Sequence, residues 1–190
     1  MRIGFIRHGS TSWNKEGRAQ GHYDVPLDEY GRADTFALAQ KMDSASWSCI
    51  YSSDLSRARQ TAQTLVDEGV MDRLNLDRRL RELGGGQIEG TTETERVKKW
   101  GENWRELELG IEKKEEALER ALDFLTDVTD QHVNESILVV SHGSFLKHLI
   151  GELTGEEIEE SLGNTSLTIL VLEGKKWNIE VFNDLSHLHS

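Results

Sequence analysis

The sequence predicts an α/β fold in which a mixed, mostly parallel sheet is covered by helices on both faces. Short apolar segments typical of buried strands alternate with longer segments of helical periodicity, which favours parallel strands joined by helices. Two apolar segments near the C-terminus flank a short polar turn and predict an antiparallel hairpin. The length of 190 residues fits one ordinary domain, so we assign residues 1–190 to a single domain.

The first half of the chain supplies two strands and a helix. Residues 2–6 are predicted to form a buried strand, and residues 49–53 form a second, shorter one. From Leu55 onward, apolar residues recur at helical spacing. Ser53 and Asp54 precede this helix, where an N-cap and a first turn belong.

The second half repeats this alternation and then ends in the hairpin. Helices are predicted over residues 113–129 and 141–153, with a buried strand over residues 137–140 between them. The hairpin strands are residues 167–172 and 177–182. Together these elements predict helices packed on both sides of one sheet.

Residues 84–110 are the least regular part of the sequence. We interpret them as a loop and a short helix whose Trp100 and Trp104 join the core, and a lid over an active site is the alternative. Within the single domain, residues 91–112 are assigned to a short lid or specificity region.

Composition and charge exclude several classes of function. Lys and Arg number 22 against 34 Asp and Glu, so the net charge is −12, which argues against a nucleic-acid partner because such binding needs clustered cations. No apolar stretch approaches the roughly 18 residues that span a bilayer, and no signal peptide precedes the first strand, so no membrane partner is expected. The single cysteine, Cys49, cannot form an internal disulfide, and a reducing, cytoplasmic location is expected.

The residues best suited to chemistry follow two of the predicted strands. The triplet Arg7-His8-Gly9 ends the first strand, and Ser141-His142-Gly143 follows the strand at 137–140. Because ligands bind at the carboxyl ends of parallel strands, both triplets are expected to face one crevice.

The first triplet suits a phosphoryl group. A neutral imidazole such as that of His8 attacks phosphorus and divides a transfer into two steps. The guanidinium of Arg7 would hold the phosphoryl oxygens without losing its proton, and Gly9 would let backbone amides approach the anion. The alternative is a solvated turn with an incidental histidine.

Arg57 and His142 are further candidates. Arg57 lies near the start of the predicted helix that follows Leu55, where the helix dipole disfavours a cation unless an anion binds in front of it. A salt bridge is the alternative for Arg57, and Arg59 points to a different face. His142 could hydrogen-bond the phosphoryl group beside His8, or it could be an ordinary buried polar residue.

A leaving alkoxide needs a proton, which a carboxylic acid can supply. Glu82 precedes the glycine run in LRELGGGQIEG, and Glu89 and Glu112 remain alternatives. The sequence has no G-x-S-x-G, P-loop, G-x-G-x-x-G or H-E-x-x-H motif. His187 and His189 form an H-x-H that could bind a metal, but we prefer a terminal tail and predict no metal site.

The sequence resembles the histidine phosphatase superfamily, also called the phosphoglycerate-mutase-like family. Four motifs occur in the family's order: RHGSTSWN (7–14), SSDLSRARQTA (52–62), LRELGGGQIEG (80–90) and VVSHGS (139–144). Residues 163–188 are similar to the ending of its bacterial broad-specificity phosphatase branch. The resemblance implies a three-layer α/β/α sandwich and no metal or organic cofactor.

The resemblance also implies a role for each candidate residue. His8 would be the nucleophile that becomes phosphorylated, and Glu82 would give a proton to the leaving group. Arg7, Arg57 and His142 would surround the phosphoryl group. The positions implied in substrate binding are Thr11, Asn14, Gln20, Gly21 and Gly143.

Two residues depart from the family pattern. Ser10 stands where the family often has Glu, and Ile88 stands where it usually has Trp. These departures bear on how the substrate and the loop at 82–90 are held.

The function expected is a metal-independent phosphomonoesterase that hydrolyses small phosphorylated metabolites through a phosphohistidine. The alternatives are a cofactor-dependent phosphoglycerate mutase and a non-catalytic protein that binds a phosphorylated ligand. A mutase must shield its phosphoenzyme from water, and residues 91–112 are too few for more than a partial cover. The natural substrate is open among phosphorylated glycerates, phosphosugars, phosphoserine and α-ribazole phosphate, and the oligomeric state is open too.

Overall fold

Six strands form one sheet: β1 (Arg2–Arg7), β2 (Cys49–Ser52), β3 (Leu74–Leu76), β4 (Ser136–Ser141), β5 (Leu167–Glu173) and β6 (Lys176–Asp184). The computed structural model describes residues 1–189, with side chains through Leu188. The strand order is β3-β2-β4-β1-β5-β6. The first four strands in this order are parallel, and β5 and β6 are antiparallel to their neighbours. The prediction of a mixed, mostly parallel sheet is confirmed.

The helices are α1 (Ser12–Glu16), α2 (Glu29–Lys41), α3 (Ser56–Asp67), α4 (Glu93–Trp100), α5 (Lys114–Gln131) and α6 (Gly143–Thr154). Short 3₁₀ turns lie at residues 44–46, 78–80, 86–88, 104–106 and 186–189. Over residues 1–189, none of the helices has the length and apolar character needed to cross a bilayer.

Helices cover both faces of the sheet because alternate strand residues point to opposite sides. Ile3 and Phe5 of β1 share one core with α5 and α6, where Phe124 and Leu146 are fully buried. Ile6 of the same strand belongs to the other core, which α2 and α3 complete. The result is the α/β/α sandwich that was expected.

The start of α3 differs from the sequence prediction. The helix begins at Ser56, and Leu55 occupies the N-cap position without a side-chain hydrogen bond. Asp24, far away in the sequence, accepts from the backbone N–H of Ser56 at 2.6 Å. The side chain of Asp54 instead binds Arg81. The predicted cap was wrong because the capping carboxylate comes from another part of the chain.

Residues 84–112 pack beside the cavity described below. Trp104 is buried with Ile88 and Leu109, and Trp100 packs partly buried against this small cluster. Of residues 91–112, Ile111 lines the cavity. The two tryptophans therefore serve local packing.

Candidate active site

The site lies where β1 and β4 end side by side. Arg7 and Ser141 are register partners in this parallel pair, so His8 and His142 emerge next to each other, with ring centroids 5.2 Å apart. A cavity of about 380 Å³ opens here, within the usual range for small-molecule sites. The predicted site residues on its wall are Arg7, His8, Asn14, Gln20, Gly21, Arg57 and Glu82.

A larger groove of about 870 Å³ adjoins this cavity and shares His148 with it. The groove lies along α6 and contains none of the residues that sequence analysis singled out. The smaller cavity, which the predicted site residues line, is therefore the candidate site.

His8 is held as a neutral imidazole with one defined tautomer. Its Nδ1 lies 2.7 Å from the carbonyl oxygen of Gly9. A carbonyl can only accept, so Nδ1 carries the proton and Nε2 keeps its lone pair. Burial, and then the charges of Arg57 and Arg7, place the pKa of His8 well below its usual value. A neutral ring with a free Nε2 is a potential nucleophile.

Arg57 is fully buried at the start of α3. Its guanidinium donates to the carbonyl of Tyr23 at 2.9 Å, to that of Gly21 at 2.8 Å and to Nδ1 of His142 at 3.2 Å. Burial is the main cause that lowers the pKa of Arg57, to about 10. The group therefore remains a cation at neutral pH.

Arg7 is partly buried, and its Nη1 donates to the carbonyl of Leu162. Its Nε is buried without a hydrogen-bond partner among the described residues. Burial lowers the pKa of Arg7, and the charge of Glu82 opposes that effect. An unpaired buried donor of this kind suits an incoming anion.

His142 has a partner at each ring nitrogen. Because Arg57 donates to Nδ1, the proton of a neutral ring must lie on Nε2, which is 2.9 Å from Oγ of Ser53. Burial and then Arg57 hold the pKa of His142 well below its usual value. A direct bond from His142 to a phosphoryl group was the expectation. Both ring nitrogens have partners within the protein here, and the direct bond to a phosphoryl group stays a prediction.

Glu82 lines the cavity at the N-terminus of α6. Its carboxylate accepts from the backbone N–H groups of Leu83, Ser144 and Phe145, at 3.0, 3.2 and 2.8 Å. A carboxylate at this end of a helix interacts favourably with the helix dipole. The charges of Arg7 and Arg57 also interact with that of Glu82.

The two alternative glutamates have other partners. Glu89 accepts from the backbone N–H groups of His22 and Gly85, at 2.7 and 2.9 Å. Glu112 binds Arg120 at 2.8 Å. Burial alone would raise the pKa of Glu112, but hydrogen bonds from Arg120 and from a backbone amide outweigh it and lower the pKa. Neither glutamate lines the cavity.

Arg120, on α5, was not identified from the sequence. Its Nη1 donates to the carbonyls of Arg79 and Arg81, each at 2.7 Å, and its Nη2 donates to the carbonyl of Glu82 at 3.0 Å. Together with its ion pair to Glu112, these bonds fix the backbone of the loop that carries Glu82. The one sequence signal was its place beside the buried stripe of α5.

Among the predicted substrate-binding residues, Asn14, Gln20 and Gly21 line the cavity, whereas Thr11 and Gly143 do not. Thr11 is fully buried, with its hydroxyl 3.0 Å from Oδ1 of Asn14 and 3.1 Å from Oε1 of Gln20. It therefore orients these amides. A Cβ at Gly143 would lie 3.0 Å from Nε of Arg7, so this glycine makes room for the guanidinium.

Gly9 has a different role from the one expected. Its N–H donates to Oγ1 of Thr61 at 2.9 Å, so it does not face the cavity. A Cβ at Gly9 would lie 2.7 Å from the carbonyl oxygen of Gly31, in α2. The glycine is required for this close backbone packing. The carbonyl of His8 is in turn held by Nδ2 of Asn164 at 2.9 Å, another contact that sequence analysis missed.

The two departures from the family pattern have local partners. The hydroxyl of Ser10 donates to Asp28 at 3.1 Å. Ile88 lines the cavity and packs against Trp104 and Leu109. Ser10 is thus held by a hydrogen bond and Ile88 by packing beside the cavity.

Over the described residues, no group of three or more His, Cys, Asp or Glu side chains is arranged to hold a metal ion. His187 is buried, with Nε2 at 2.9 Å from Oγ1 of Thr165. The side chain of His189 lies outside the described part of the chain, so the H-x-H motif stays untested.

Comparisons with known proteins find relatives that match nearly the whole chain. Phosphoglycerate mutase-like protein 4 of Arabidopsis thaliana is 34% identical over 96% of this chain and 85% of its own length. The metal-independent phosphoserine phosphatase of the same plant is 30% identical over 99% and 83%. A solved mycobacterial glucosyl-3-phosphoglycerate phosphatase in complex with VO3 has a TM-score of 0.86 and 26% identity, and covers 96% of this chain and 98% of that one.

The model of the histidine phosphatase superfamily (branch 1) matches residues 3–185. That range contains both histidine-bearing strand ends, the start of α3 and the loop with Glu82. The chain belongs to the histidine phosphatase superfamily.

Proposed function

We propose that the protein is a metal-independent phosphomonoesterase that acts on small phosphorylated metabolites through a phosphohistidine at His8. The observation that carries this proposal is the tautomer of His8: Nδ1 is bound to the Gly9 carbonyl, and Nε2 keeps its lone pair beside a cavity lined by Arg7 and Arg57. Family membership and the phosphatase names of relatives support hydrolysis.

In the first step, Nε2 of His8 forms a bond to phosphorus while the bond from phosphorus to the ester oxygen breaks. Glu82, in its protonated form, transfers its proton to that oxygen, and the alcohol leaves. Arg7 and Arg57 bind the phosphoryl oxygens as charge spreads over them. The orphaned Nε–H of Arg7 gains an acceptor at this point.

In the second step, water attacks phosphorus and the bond to Nε2 breaks. Glu82, now a carboxylate, takes the proton from the water. Inorganic phosphate leaves, and the enzyme returns to its starting protonation state. His142 acts through Arg57, whose guanidinium it orients.

The mutase alternative requires the phosphoenzyme to survive until the bound substrate has changed its orientation in the site. Of residues 91–112, Ile111 lines the cavity, so this segment gives little cover against water. We therefore favour hydrolysis of the phosphohistidine over transfer of its phosphoryl group back to the substrate. The names of some relatives refer to phosphoglycerate mutase, which makes this alternative the one to test directly.

The test follows the fate of the phosphoryl group. Acid-quenched enzyme given ³²P-labelled substrate should carry label, and His8→Ala should lose both label and turnover. Phosphorus NMR with 3-phosphoglycerate and a bisphosphoglycerate primer should show phosphate release without isomer exchange, and EDTA should leave the rate unchanged. Wild-type turnover in His8→Ala would end the covalent mechanism, and exchange faster than release would promote the mutase.

A further inference from the structure

The cavity wall contains few cations beyond those proposed to hold the phosphoryl group. Over residues 1–189, the arginines on this wall are Arg7, Arg18 and Arg57. Arg7 and Arg57 both act electrostatically on His8, and the proposed chemistry uses them. Arg18 is the remaining one.

Arg18 is already neutralised by its neighbours. Its Nε donates to Glu16 at 2.6 Å, and its Nη1 donates to Glu95 at 2.8 Å. The same Nη1 also donates to the carbonyl of Gly90 at 2.6 Å. The guanidinium therefore has two carboxylate partners before any substrate arrives.

His148 is a further basic residue on the cavity wall, at the point where the cavity meets the neighbouring groove. Burial, and then the charge of Lys114, lower the pKa of His148, with Glu82 opposing. The ring is therefore neutral at physiological pH and supplies no positive charge. Apart from Glu82, the other side chains on this wall are uncharged: Ala19, Leu83, Ile88 and Ile111 are apolar, and Asn14, Gln20 and Ser144 are polar.

The groove beyond His148 does not supply the missing charge. Its cations are Lys114 and Lys147, and Lys147 donates to the carbonyl of Glu159 at 2.8 Å. Four glutamates line the same groove: Glu152, Glu156, Glu157 and Glu159. Carboxylates thus outnumber ammonium groups along the path that a longer substrate would take.

We infer that the natural substrate is a phosphomonoester whose alcohol part carries no second anionic group. This inference rests on the proposed phosphatase function. A carboxylate on the leaving group would lose hydration in the cavity without gaining a free cation, and it would approach Glu82. The site therefore favours esters of neutral alcohols over phosphorylated acids such as phosphoglycerates and phosphoserine.

The experiment compares two substrates of nearly equal size. Glycerol 3-phosphate and 3-phosphoglycerate differ in having a hydroxymethyl group or a carboxylate at the end remote from the phosphate. We expect kcat/KM to favour glycerol 3-phosphate by about 10- to 100-fold, which corresponds to about 1.4 to 2.8 kcal/mol, since the carboxylate of 3-phosphoglycerate approaches a like charge. Equal rates, or preference for 3-phosphoglycerate, would overturn the inference and leave the phosphatase function intact.

Two sets of variants test the cause. The double variant Glu16→Gln with Glu95→Gln removes both carboxylates from Arg18 and keeps an oxygen to accept from Thr92 at the start of α4. It should shift the substrate ratio toward 3-phosphoglycerate by about two- to fivefold. Ile111→Lys, which adds a cation to the wall, should shift the ratio the same way.

The matched control is Glu102→Gln with Glu108→Gln, which makes the same change in net charge at two exposed positions. This control should leave the ratio as in the wild type. The inference would be contradicted if the ratio of kcat/KM for the two substrates stayed constant in the Arg18-neighbour variant and in Ile111→Lys. It would also be contradicted if the ratio shifted equally in the control. If the protein hydrolyses neither ester and no other phosphomonoester, the proposed phosphatase function is itself wrong.

Discussion

The environment of His8 determines how its activity should depend on pH. Burial and two nearby arginines place its pKa well below the usual value of 6.5, so the neutral ring that the proposed mechanism needs persists as the pH falls through that value. We expect kcat/KM, expressed per substrate dianion, to stay level from pH 7 to roughly 5.5. Initial rates with p-nitrophenyl phosphate, corrected for its own ionisation, measure this. A decline with a midpoint near 6.5 would show an ordinary histidine.

Glu82 is the carboxyl group on the cavity wall, and its substitution separates acid catalysis from binding. Glu82→Gln should slow hydrolysis of an alkyl phosphate by about 10²- to 10⁴-fold. An aryl phosphate should lose far less, because a phenolate leaves without protonation. Steady-state rates of one variant on both substrates provide an internal control. Equal losses on the two substrates would mean that Glu82 has a supporting role.

The sequence predicted part of this constellation for a physical reason. Arg7, His8 and His142 lie at the carboxyl ends of buried parallel strands. The carboxyl ends of parallel strands lie at the same edge of a sheet whatever the strand order, so these residues could be placed there from the sequence. The choice among Glu82, Glu89 and Glu112 could not be made, because it depends on which loop meets the N-terminus of α6. The role of Gly9 was wrong because its close neighbour, Gly31, lies in a helix that was not predicted.

That helix, α2, has an inward face on which Leu38 is the one large apolar residue. Its buried residues are Gly31, Thr35, Leu38 and Ala39, so hydrophobic periodicity is weak even though the packing is tight. The capping of α3 by Asp24 could not be predicted either, because Asp24 and the start of the helix are far apart in the sequence. Strongly amphipathic α5 and the buried strands were predicted to within a few residues.

The contact of α5 with the Glu82 loop leads to a further prediction. Arg120 donates to three backbone carbonyls and binds Glu112, an arrangement that the single ammonium of lysine cannot reproduce. Arg120→Lys should reduce kcat on an alkyl phosphate by about 10- to 100-fold, with a smaller loss on an aryl phosphate. Such a split reports displacement of the proton donor.

The control for Arg120 is Arg79→Lys. Arg79 also bonds to α5, through Asp123 and Asp127, and its other side-chain hydrogen bonds go to Asp77. Its variant should lose stability without a difference between substrates. If Arg120→Lys behaves like Arg79→Lys in both assays, Arg120 has only a structural role.

Two buried neutral histidines tie the stability of the whole protein to pH. His8 and His142 each have a pKa well below 6.5 in the folded state because of burial and then Arg57. The unfolded chain therefore binds more protons below pH 6.5. The free energy of unfolding should fall by about 1.4 kcal/mol per pH unit for each ring as the pH drops from 6.5.

Urea unfolding at a series of pH values measures this dependence. His8→Asn removes one of the two rings, so its stability should fall less steeply with acidification than that of the wild type. A variant with an unchanged slope would show that His8 titrates normally in the folded protein.

The position of β1 in the sheet has a consequence for biosynthesis. This strand leaves the ribosome before the other five, yet its two neighbours are β4 and β5, which begin at Ser136 and Leu167. A nascent chain therefore carries His8 for most of translation with both edges of its strand unpaired. Translation that stops before Ser136 yields a polypeptide that lacks His142 and has an exposed, apolar strand prone to aggregation or proteolysis.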